Sequence, residues 1–211
     1  MRLKQNSISI LLSLVFLCSC NVADKKTDSE KSNLQNTTIY LQPFDDLPDA
    51  YTNAVFNQFK IIFSKVELKK SIPLPKTAFN PQRQRYRADT IIAYLHRKNT
   101  QKDLTIGLTN KDISATKNKI QDWGVMGLGY CPGNTCVAST FRLNKEKAAI
   151  QLFKVAIHEL GHTQGLAHCK IKYCFMRDAE GKNPTDEETD FCLNCKKFLL
   201  KKGWVLKYNL D

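Results

Sequence analysis

Three of the four histidines of this 211-residue chain lie close together, at positions 158, 162 and 168. On an α-helix, His158 and His162 project from adjacent turns of one face, because they are four residues apart. A continuing helix would carry His168 about 9 Å further along the axis. The helix must therefore end before His168, and Gly165 stands where a left-handed residue terminates a helix. The three imidazoles are predicted to converge on one point.

Three converging imidazoles are a typical ligand set for a catalytic zinc ion, because they leave the fourth tetrahedral position open. Glu159 follows the first of these histidines and is placed to accept a proton from a water at that position. HExxH followed by a glycine and a third histidine is far more specific than HExxH alone. The sequence therefore predicts a zinc-dependent hydrolase of peptide bonds. A non-catalytic zinc-binding protein is the alternative. The remaining histidine, His96, is predicted to be an exposed residue at a helix end.

Four of the eight cysteines follow the histidine motif, in two pairs: Cys169 and Cys174, then Cys192 and Cys195. Two cysteine pairs can form a closed tetrahedral zinc site with four sulfur ligands. Two disulfides are the alternative in an oxidising compartment. A redox role for the last pair is disfavoured, because the chain lacks the thioredoxin-like βαβ context of such a motif.

These motifs resemble those of the archaemetzincins, a branch of the metzincin zinc metallopeptidases. The similarity rests on HELGHTQGLAHC at residues 158–169, Cys-Phe-Met at 174–176 and Cys-Leu-Asn-Cys at 192–195. Weaker similarities upstream extend it over roughly residues 38–196. The resemblance implies that His158, His162 and His168 bind the catalytic zinc. It also implies that Met176 lies beneath that zinc, and that a second, structural zinc binds Cys169, Cys174, Cys192 and Cys195.

The alternation of predicted strands and helices indicates an α/β domain with a mixed sheet. The resemblance implies one metzincin-like domain, with a twisted and mostly parallel sheet, an antiparallel edge strand at residues 123–130 and a long active-site helix. A peptide substrate would add to that edge as a further strand. Strands are predicted at residues 39–44, 61–68, 104–108, 123–130 and 137–143, helices at 49–59, 84–97, 145–164 and 186–201, and a loop at 71–81.

Cys131 and Cys136 flank a Pro-Gly turn in the predicted hairpin between the strands at residues 123–130 and 137–143. They depart from the archaemetzincin pattern, in which this hairpin tip is usually rich in glycine and free of cysteine. The four intervening residues and the tight turn predict a local disulfide, with two free thiols as the alternative.

Residues 1–19 are predicted to be a lipoprotein-type signal peptide. An apolar stretch at residues 8–17 follows two basic residues and is too short to span a bilayer. It ends in Leu-Cys-Ser-Cys, which resembles the bacterial lipoprotein signal, so Cys20 is predicted to carry the lipid. An ordinary cleaved signal and an uncleaved anchor are the alternatives. Residues 20–37 are then a flexible tether, and residues 38–211 form the exported metallopeptidase domain, held at a membrane surface.

The formal net charge of +12 is compatible with an anionic lipid surface or with acidic substrates, but an ordinary solvated basic surface is the favoured interpretation. The basic residues are scattered, without the basic and aromatic motif of a nucleic-acid-binding module, so no nucleic-acid partner is predicted. The predicted substrate is a peptide or a flexible protein segment, and the predicted assembly state is a monomer.

Overall fold

The computed structural model of the protein describes residues 37–99, 103–204 and 206. The predicted signal peptide, the predicted lipid attachment site Cys20 and most of the predicted tether lie outside these residues. In the described part of the chain, no helix is both long enough and apolar enough to cross a membrane.

Nine strands and four α-helices are formed by the residues that the structure describes. They are β1 (Ile39–Pro43), α1 (Asp49–Ile62), β2 (Val66–Leu68), β3 (Phe79–Asn80), β4 (Arg85–Arg87), α2 (Ala88–Lys98), β5 (Leu104–Thr109), β6 (Ile113–Lys117), β7 (Ile120–Val125), β8 (Gly127–Gly129), β9 (Thr135–Ser139), α3 (Ala148–Thr163) and α4 (Leu193–Lys201). Short 3-10 turns lie at Lys76–Ala78 and Lys145–Lys147.

A five-stranded sheet with the order β2-β1-β5-β9-β8 forms the centre of the domain. β2, β1, β5 and β9 are parallel, and β8 pairs with β9 in the antiparallel direction at the edge. This confirms the predicted α/β fold with a mostly parallel sheet and an antiparallel edge strand. β5 and β9 are buried at every position, since helices cover both faces of the sheet.

The helices lie on both faces of this sheet, and each face has its own hydrophobic cluster. Side chains of α1 and α3 pack together in the larger cluster, with residues of β1 and β5 that include Leu41 and Ile106. Side chains of α2 pack in the smaller cluster, with Phe44 and Val137. α3 therefore lies directly against the sheet, next to the edge strand β8.

A second, four-stranded sheet with the order β3-β4-β6-β7 stands beside the first. The predicted single edge strand at residues 123–130 is wrong in extent. β7 ends at Val125 in the small sheet, and β8 starts at Gly127 in the main sheet, so the chain changes sheets at Met126. β7 is largely exposed and shows no apolar alternation, which explains why the sequence did not separate the two strands.

Other boundaries also differ from the sequence prediction. α1 continues to Ile62, so the strand predicted at 61–68 is reduced to Val66–Leu68. The helix predicted at 84–97 begins only after a short strand, at Ala88. α4 starts at Leu193 instead of residue 186, because residues 189 and 190 form backbone hydrogen bonds with residues 173 and 175. The Thr189 N–H donates to the Tyr173 carbonyl over 2.9 Å, and the Phe175 N–H donates to the Asp190 carbonyl over 2.9 Å.

Candidate active site

The helix α3 carries the first two histidines and ends in a tight cap. The Gly165 N–H donates to the His162 carbonyl over 2.9 Å, and the Leu166 N–H donates to the Gly161 carbonyl over 3.1 Å. Gly165 has φ +98°, the left-handed conformation expected from its position in the sequence. This pair of hydrogen bonds is the Schellman arrangement, which reverses the chain after the helix. The reversal returns His168 toward the two helical histidines.

The three imidazoles converge as the spacing predicts. One ring nitrogen from each of His158, His162 and His168 lies within 4.8 Å of the others. The Nε2 atoms of His158 and His162 are 3.0 Å apart. Their Nδ1 atoms donate to the carbonyls of Phe175 and Leu166, over 2.6 and 2.7 Å. Since each Nδ1 holds the proton, each Nε2 turns a free lone pair toward the other ring.

This protonation pattern fits a metal ion. Two lone pairs facing each other at 3.0 Å repel unless a cation lies between them. Burial, together with the neighbouring His162, lowers the pKa of His158 to about 3, and burial also lowers the pKa of His162. Both rings are therefore neutral at pH 7, which is the form that binds zinc. The residues present suit a zinc site with three imidazole ligands.

His168 differs from the other two histidines because its side chain is 47% exposed. Its Nδ1 lies 3.3 Å from Oδ2 of Asp178, so a carboxylate replaces the backbone carbonyl that orients each of the other rings. Asp178 was not predicted from the sequence. No local pattern indicates it, since the loop that carries it reaches His168 only in the folded chain.

Replacement of Asp178 by asparagine is expected to lower the zinc affinity of the histidine site by about 10- to 100-fold. The amide cannot orient the His168 ring as a negatively charged acceptor does. Competition with a chromogenic chelator measures this affinity. Asp186→Asn is the matched control, because Asp186 pairs with Lys147 away from the three histidines. Equal affinities of the Asp178 variant and the control would contradict the orienting role.

Glu159 lies on α3 beside the first histidine and is 9% exposed. Burial raises the pKa of its carboxyl to about 8, although the Gly129 N–H donates a hydrogen bond to it. The edge strand β8 approaches the helix closely here. A Cβ at Gly127 would lie 2.6 Å from Cγ and 2.7 Å from Oε1 of Glu159. The absence of a side chain at Gly127 thus leaves room for this carboxylate between the edge strand and the histidines.

Met176 packs against α3 at Gly161, next to His162, and is fully buried. Its sulfur lies against Gly161, where a side chain on the helix would collide with it. Its carbonyl accepts a hydrogen bond from the Cys169 N–H over 2.7 Å. This bond fixes the chain directly after His168.

The four cysteines of the second cluster also converge. The Sγ atoms of Cys169 and Cys192 are 3.7 Å apart, as are those of Cys174 and Cys195, and all four lie within 4.8 Å of one another. Zinc–sulfur bonds of about 2.3 Å at tetrahedral angles place sulfurs about 3.8 Å apart. All four cysteines are free in the structure. The cluster therefore fits a metal site.

Cys131 and Cys136 correct the sequence prediction, because both are free thiols rather than a disulfide. Cys136 lies in β9 opposite Gly129, so the strand register does not place Cys131 across from it. Cys136 is fully buried, and its burial raises the pKa of the thiol well above the usual value. Cys131 is exposed. His96, in turn, is exposed and contacts Asn134, outside the histidine cluster.

A cleft of about 1020 Å³ opens above the three histidines and Glu159. The strands β7 and β8 line one side of it, and the loop at residues 177–188 lines the other. Arg85 and Arg142 hold the first side in place, since both form ion pairs with the buried carboxylate of Asp112, over 3.0 and 2.7 Å. These charged residues fall within the weak upstream similarities, but the sequence assigns them no role.

The loop side of the cleft contains a buried carboxyl, Glu188, that sequence analysis also missed. Its side chain is 2% exposed, and Oε2 has no hydrogen-bond partner among the described residues. Burial raises the pKa of Glu188 from the usual 4.5 to about 7, while Lys154 and Arg177 oppose the shift. Lys154 precedes His158 by four residues, and that helical spacing is the only sequence signal for this part of the wall.

The raised pKa predicts a pH dependence of stability that Glu188→Gln removes. The folded state binds the proton of Glu188 more tightly than the unfolded state. The stabilisation that this protonated carboxyl gives to the folded state is therefore lost as the pH rises from about 4.5 to about 7. Relative to the wild type, the glutamine variant should gain about 1 to 3 kcal/mol in free energy of unfolding between pH 5 and pH 8. Denaturant titrations at pH 5 and pH 8 measure the free energy of unfolding of both proteins, and the exposed Glu187→Gln replacement is the control. Parallel pH profiles of wild type and Glu188→Gln would contradict the prediction.

Comparison with known proteins identifies the family. The profile of peptidase family M54 matches residues 49–202. The archaemetzincin of Nanoarchaeum equitans is 30% identical over 170 residues, which cover 80% of this chain and 92% of that protein. The archaemetzincin of Methanocaldococcus jannaschii is 29% identical over 175 residues, which cover 78% of this chain and 94% of that protein.

Solved structures agree with this assignment. The archaemetzincin of Archaeoglobus fulgidus, complexed with malonate, has a TM-score of 0.66 and 28% identity, over 77% of this chain and 99% of that one. The archaemetzincin of Methanopyrus kandleri has a TM-score of 0.67 and 27% identity, over 79% of this chain and 94% of that one. Since the matched region contains the histidine site, the cysteine cluster and nearly all of both sheets, the chain belongs to peptidase family M54, the archaemetzincins, and is a zinc metallopeptidase.

Proposed function

We propose that the protein cleaves peptide bonds with Glu159 as the general base. His158, His162 and His168 would hold a zinc ion, which would supply Lewis-acid polarisation of the scissile carbonyl and acidify the attacking water. Glu159 would accept the proton of that water and deliver it to the leaving amine, because the neighbouring zinc cation would favour the ionised carboxylate that burial alone disfavours. The observation that carries this role is the position of Glu159. It is the one carboxylate held between the edge strand and the converging histidines among the residues that the structure describes.

The substrate is proposed to be a peptide or a flexible protein segment that lies along β8. β8 is the edge of the main sheet, so its outer side offers backbone groups to an added strand. The cleft runs between this edge and the loop at residues 177–188. An extended chain can enter such a cleft, whereas a folded domain would first have to unfold locally.

A peptide library incubated with the zinc-loaded protein tests this function. We expect cleavage at internal peptide bonds, detected by mass spectrometry as new amino and carboxyl ends. A fully zinc-loaded protein that cleaves none of the peptides would overturn the proposal and favour the non-catalytic zinc-binding alternative.

We also propose that Cys169, Cys174, Cys192 and Cys195 hold a second, structural zinc. Their sulfur spacing supports this, as do the N–H groups of Met176 and Cys192, which point at the Cys174 sulfur over 3.5 and 3.3 Å. Such a zinc would brace His168, because Cys169 follows it directly. Native mass spectrometry should find close to two zinc ions per chain. One zinc together with two disulfides would contradict this assignment.

The amino-terminal sequence supports a further proposal on location. We propose that Cys20 carries a lipid, that residues 20–37 are a tether, and that the monomeric domain acts on the outer side of a bacterial membrane. Mass spectrometry of the amino-terminal peptide of the membrane-extracted protein tests the lipid. Release of unlipidated protein in wild-type cells would contradict the proposal.

A further inference from the structure

The strand side of the cleft carries two arginines, Arg85 and Arg142, that share one buried carboxylate. Arg85 Nε lies 3.0 Å from Oδ2 of Asp112, and Arg142 Nη2 donates to Oδ1 of Asp112 over 2.7 Å. One negative charge therefore faces two positive charges. Both arginines line the cleft, whereas Asp112 does not. The proposed peptide cleavage gives neither arginine a role.

Arg142 is the accessible member of this pair. Its side chain is 34% exposed, while the side chains of Arg85 and Asp112 are 20% and 9% exposed. A guanidinium has five N–H donors. Within the described residues, Arg142 uses only Nη2 for a hydrogen bond, so Nε and Nη1 keep their donors free. An anion that enters the cleft can therefore reach free donors of Arg142, with Asp112 buried away from it.

The charges around Arg142 make this side of the cleft positive. We define the basic wall as four cleft-lining residues, Arg83, Arg85, Lys117 and Arg142. The acid on the same side, Asp122, pairs with Arg87, which does not line the cleft. Even with Asp112 counted, the positive groups outnumber the negative ones. The exposed acid Glu180 lies on the opposite, loop side, so a substrate carboxylate is attracted to one side and repelled from the other.

Gly124 in β7 places the guanidinium of Arg142 at a defined distance from the catalytic carboxyl. A Cβ at Gly124 would lie 2.0 Å from Nη2 and 2.3 Å from Cζ of Arg142, so the guanidinium occupies the space of a side chain there. Gly124 precedes Gly127, which borders Glu159, by three residues. Three residues span at most about 11 Å. An extended substrate rises about 3.3 Å per residue, so Arg142 lies within about three substrate residues of the scissile bond.

We propose that Arg142 binds a carboxylate of the substrate and so determines specificity, with Asp112 and Gly124 holding its guanidinium in place. The carboxylate belongs to an acidic side chain or to the carboxyl terminus of a peptide, since a guanidinium pairs with both in the same way. The inference rests on the proposed peptidase function and adds a substrate class to it.

The test uses variants of one peptide with an amidated carboxyl terminus. In one series, glutamine is replaced by glutamate at each position within three residues of the scissile bond. In a second series, the peptide ends as a free acid at each position on the carboxyl-terminal side of that bond. With the zinc-loaded protein, a carboxylate at one position should raise kcat/KM by about tenfold or more over the matched neutral peptide. The first series identifies an acidic side chain and the second a carboxyl terminus. No preference in either series overturns the proposal.

Two variants assign the preference to Arg142. Arg142→Gln should reduce the ratio of kcat/KM for the carboxylate and neutral peptides by about tenfold. Gly124→Ala keeps the positive charge but displaces the end of the flexible Arg142 side chain, so it should reduce the same ratio. A purely structural role of Arg142 would lower kcat/KM for both peptides equally. An unchanged ratio in Arg142→Gln overturns the proposal, and Gly124→Ala decides in the same way if Arg142→Gln does not fold.

Arg97→Gln is the matched control, because Arg97 is an exposed arginine of α2 that does not line the cleft. It removes the same charge and should keep the wild-type ratio. A ratio reduced as much by Arg97→Gln as by Arg142→Gln would assign the preference to overall charge and overturn the proposal.

A binding measurement separates this proposal from the proposed peptidase function. Isothermal titration calorimetry with the zinc-loaded Glu159→Gln variant compares the carboxylate and neutral peptides without cleavage. Tighter binding of the carboxylate peptide, lost when Arg142→Gln is added, supports the subsite even if the wild type cleaves no peptide, a result that would sink the peptidase function alone. Equal affinities overturn the subsite. An advantage that persists without Arg142 also overturns it, because the carboxylate would then bind the zinc instead.

Discussion

Replacement of Glu159 by glutamine is expected to lower kcat by about 10²- to 10⁴-fold. Glutamine has nearly the same shape and keeps an oxygen for the Gly129 N–H, so the packing between β8 and α3 is preserved. It cannot accept a proton, however, and the attacking water loses its base. The substrate contacts remain, so KM should change much less than kcat. Steady-state kinetics on one peptide that the wild type cleaves measure both constants.

Glu180→Gln is the matched control for this variant. Glu180 lines the same cleft but is exposed and lies on the loop opposite the edge strand. Its replacement should leave kcat close to the wild-type value, and both variants should retain the wild-type zinc content. If Glu159→Gln kept wild-type kcat with full zinc loading, another group would have to be the base.

Replacement of Cys174 by serine is expected to cause the largest loss of stability. Cys174 is fully buried within the cysteine cluster. Its Sγ accepts hydrogen bonds from two backbone N–H groups and lies 3.7 Å from the Cys195 sulfur. Because binding of the proposed structural zinc would add directly to the folding free energy, loss of this proposed ligand should lower Tm by about 10 °C or more. Thermal unfolding followed by circular dichroism measures the change.

The same variant should also weaken the histidine site. His168 and Cys169 are adjacent, so a loosened cysteine cluster frees the third histidine ligand. Native mass spectrometry should show loss of zinc beyond the cysteine site. Cys131→Ser is the control, because Cys131 is an exposed free thiol outside the cluster, and its Tm and zinc content should match the wild type. If reduction by dithiothreitol destabilised the wild type as much as the serine replacement does, two disulfides would explain the cluster better.

The cysteine pairs show how far local sequence reasoning extends. The spacing of Cys169, Cys174, Cys192 and Cys195 allowed either a four-sulfur zinc site or two disulfides, and the family resemblance implied the zinc site; the structure brings the four sulfurs together. The spacing of Cys131 and Cys136 predicted a disulfide, and that prediction was wrong. The first prediction needed only that two segments meet, whereas the second depended on strand register. Register places Gly129, and not Cys131, opposite Cys136.

The division of one predicted edge strand into β7 and β8 has a similar cause. Residues 120–129 show no apolar alternation that marks a change of sheet. The break is decided by partners distant in the sequence, since β7 pairs with β6 and β8 pairs with β9. β8 then approaches α3 closely enough to hold Glu159, a contact that glycine at position 127 permits.

The sequence by itself determined the helix of the histidine motif, its end at Gly165 and the convergence of three imidazoles. These features depend on the geometry of one helical turn and one left-handed residue, which are local properties. Only the tertiary structure decided the carboxylate beside His168, the approach of β8 to Glu159 and the hydrogen bond from Lys154 to the Thr185 carbonyl. Each joins residues from separate segments: the first and third depend on how the loop at 177–188 packs against α3, and the second depends on the pairing of β8 with β9.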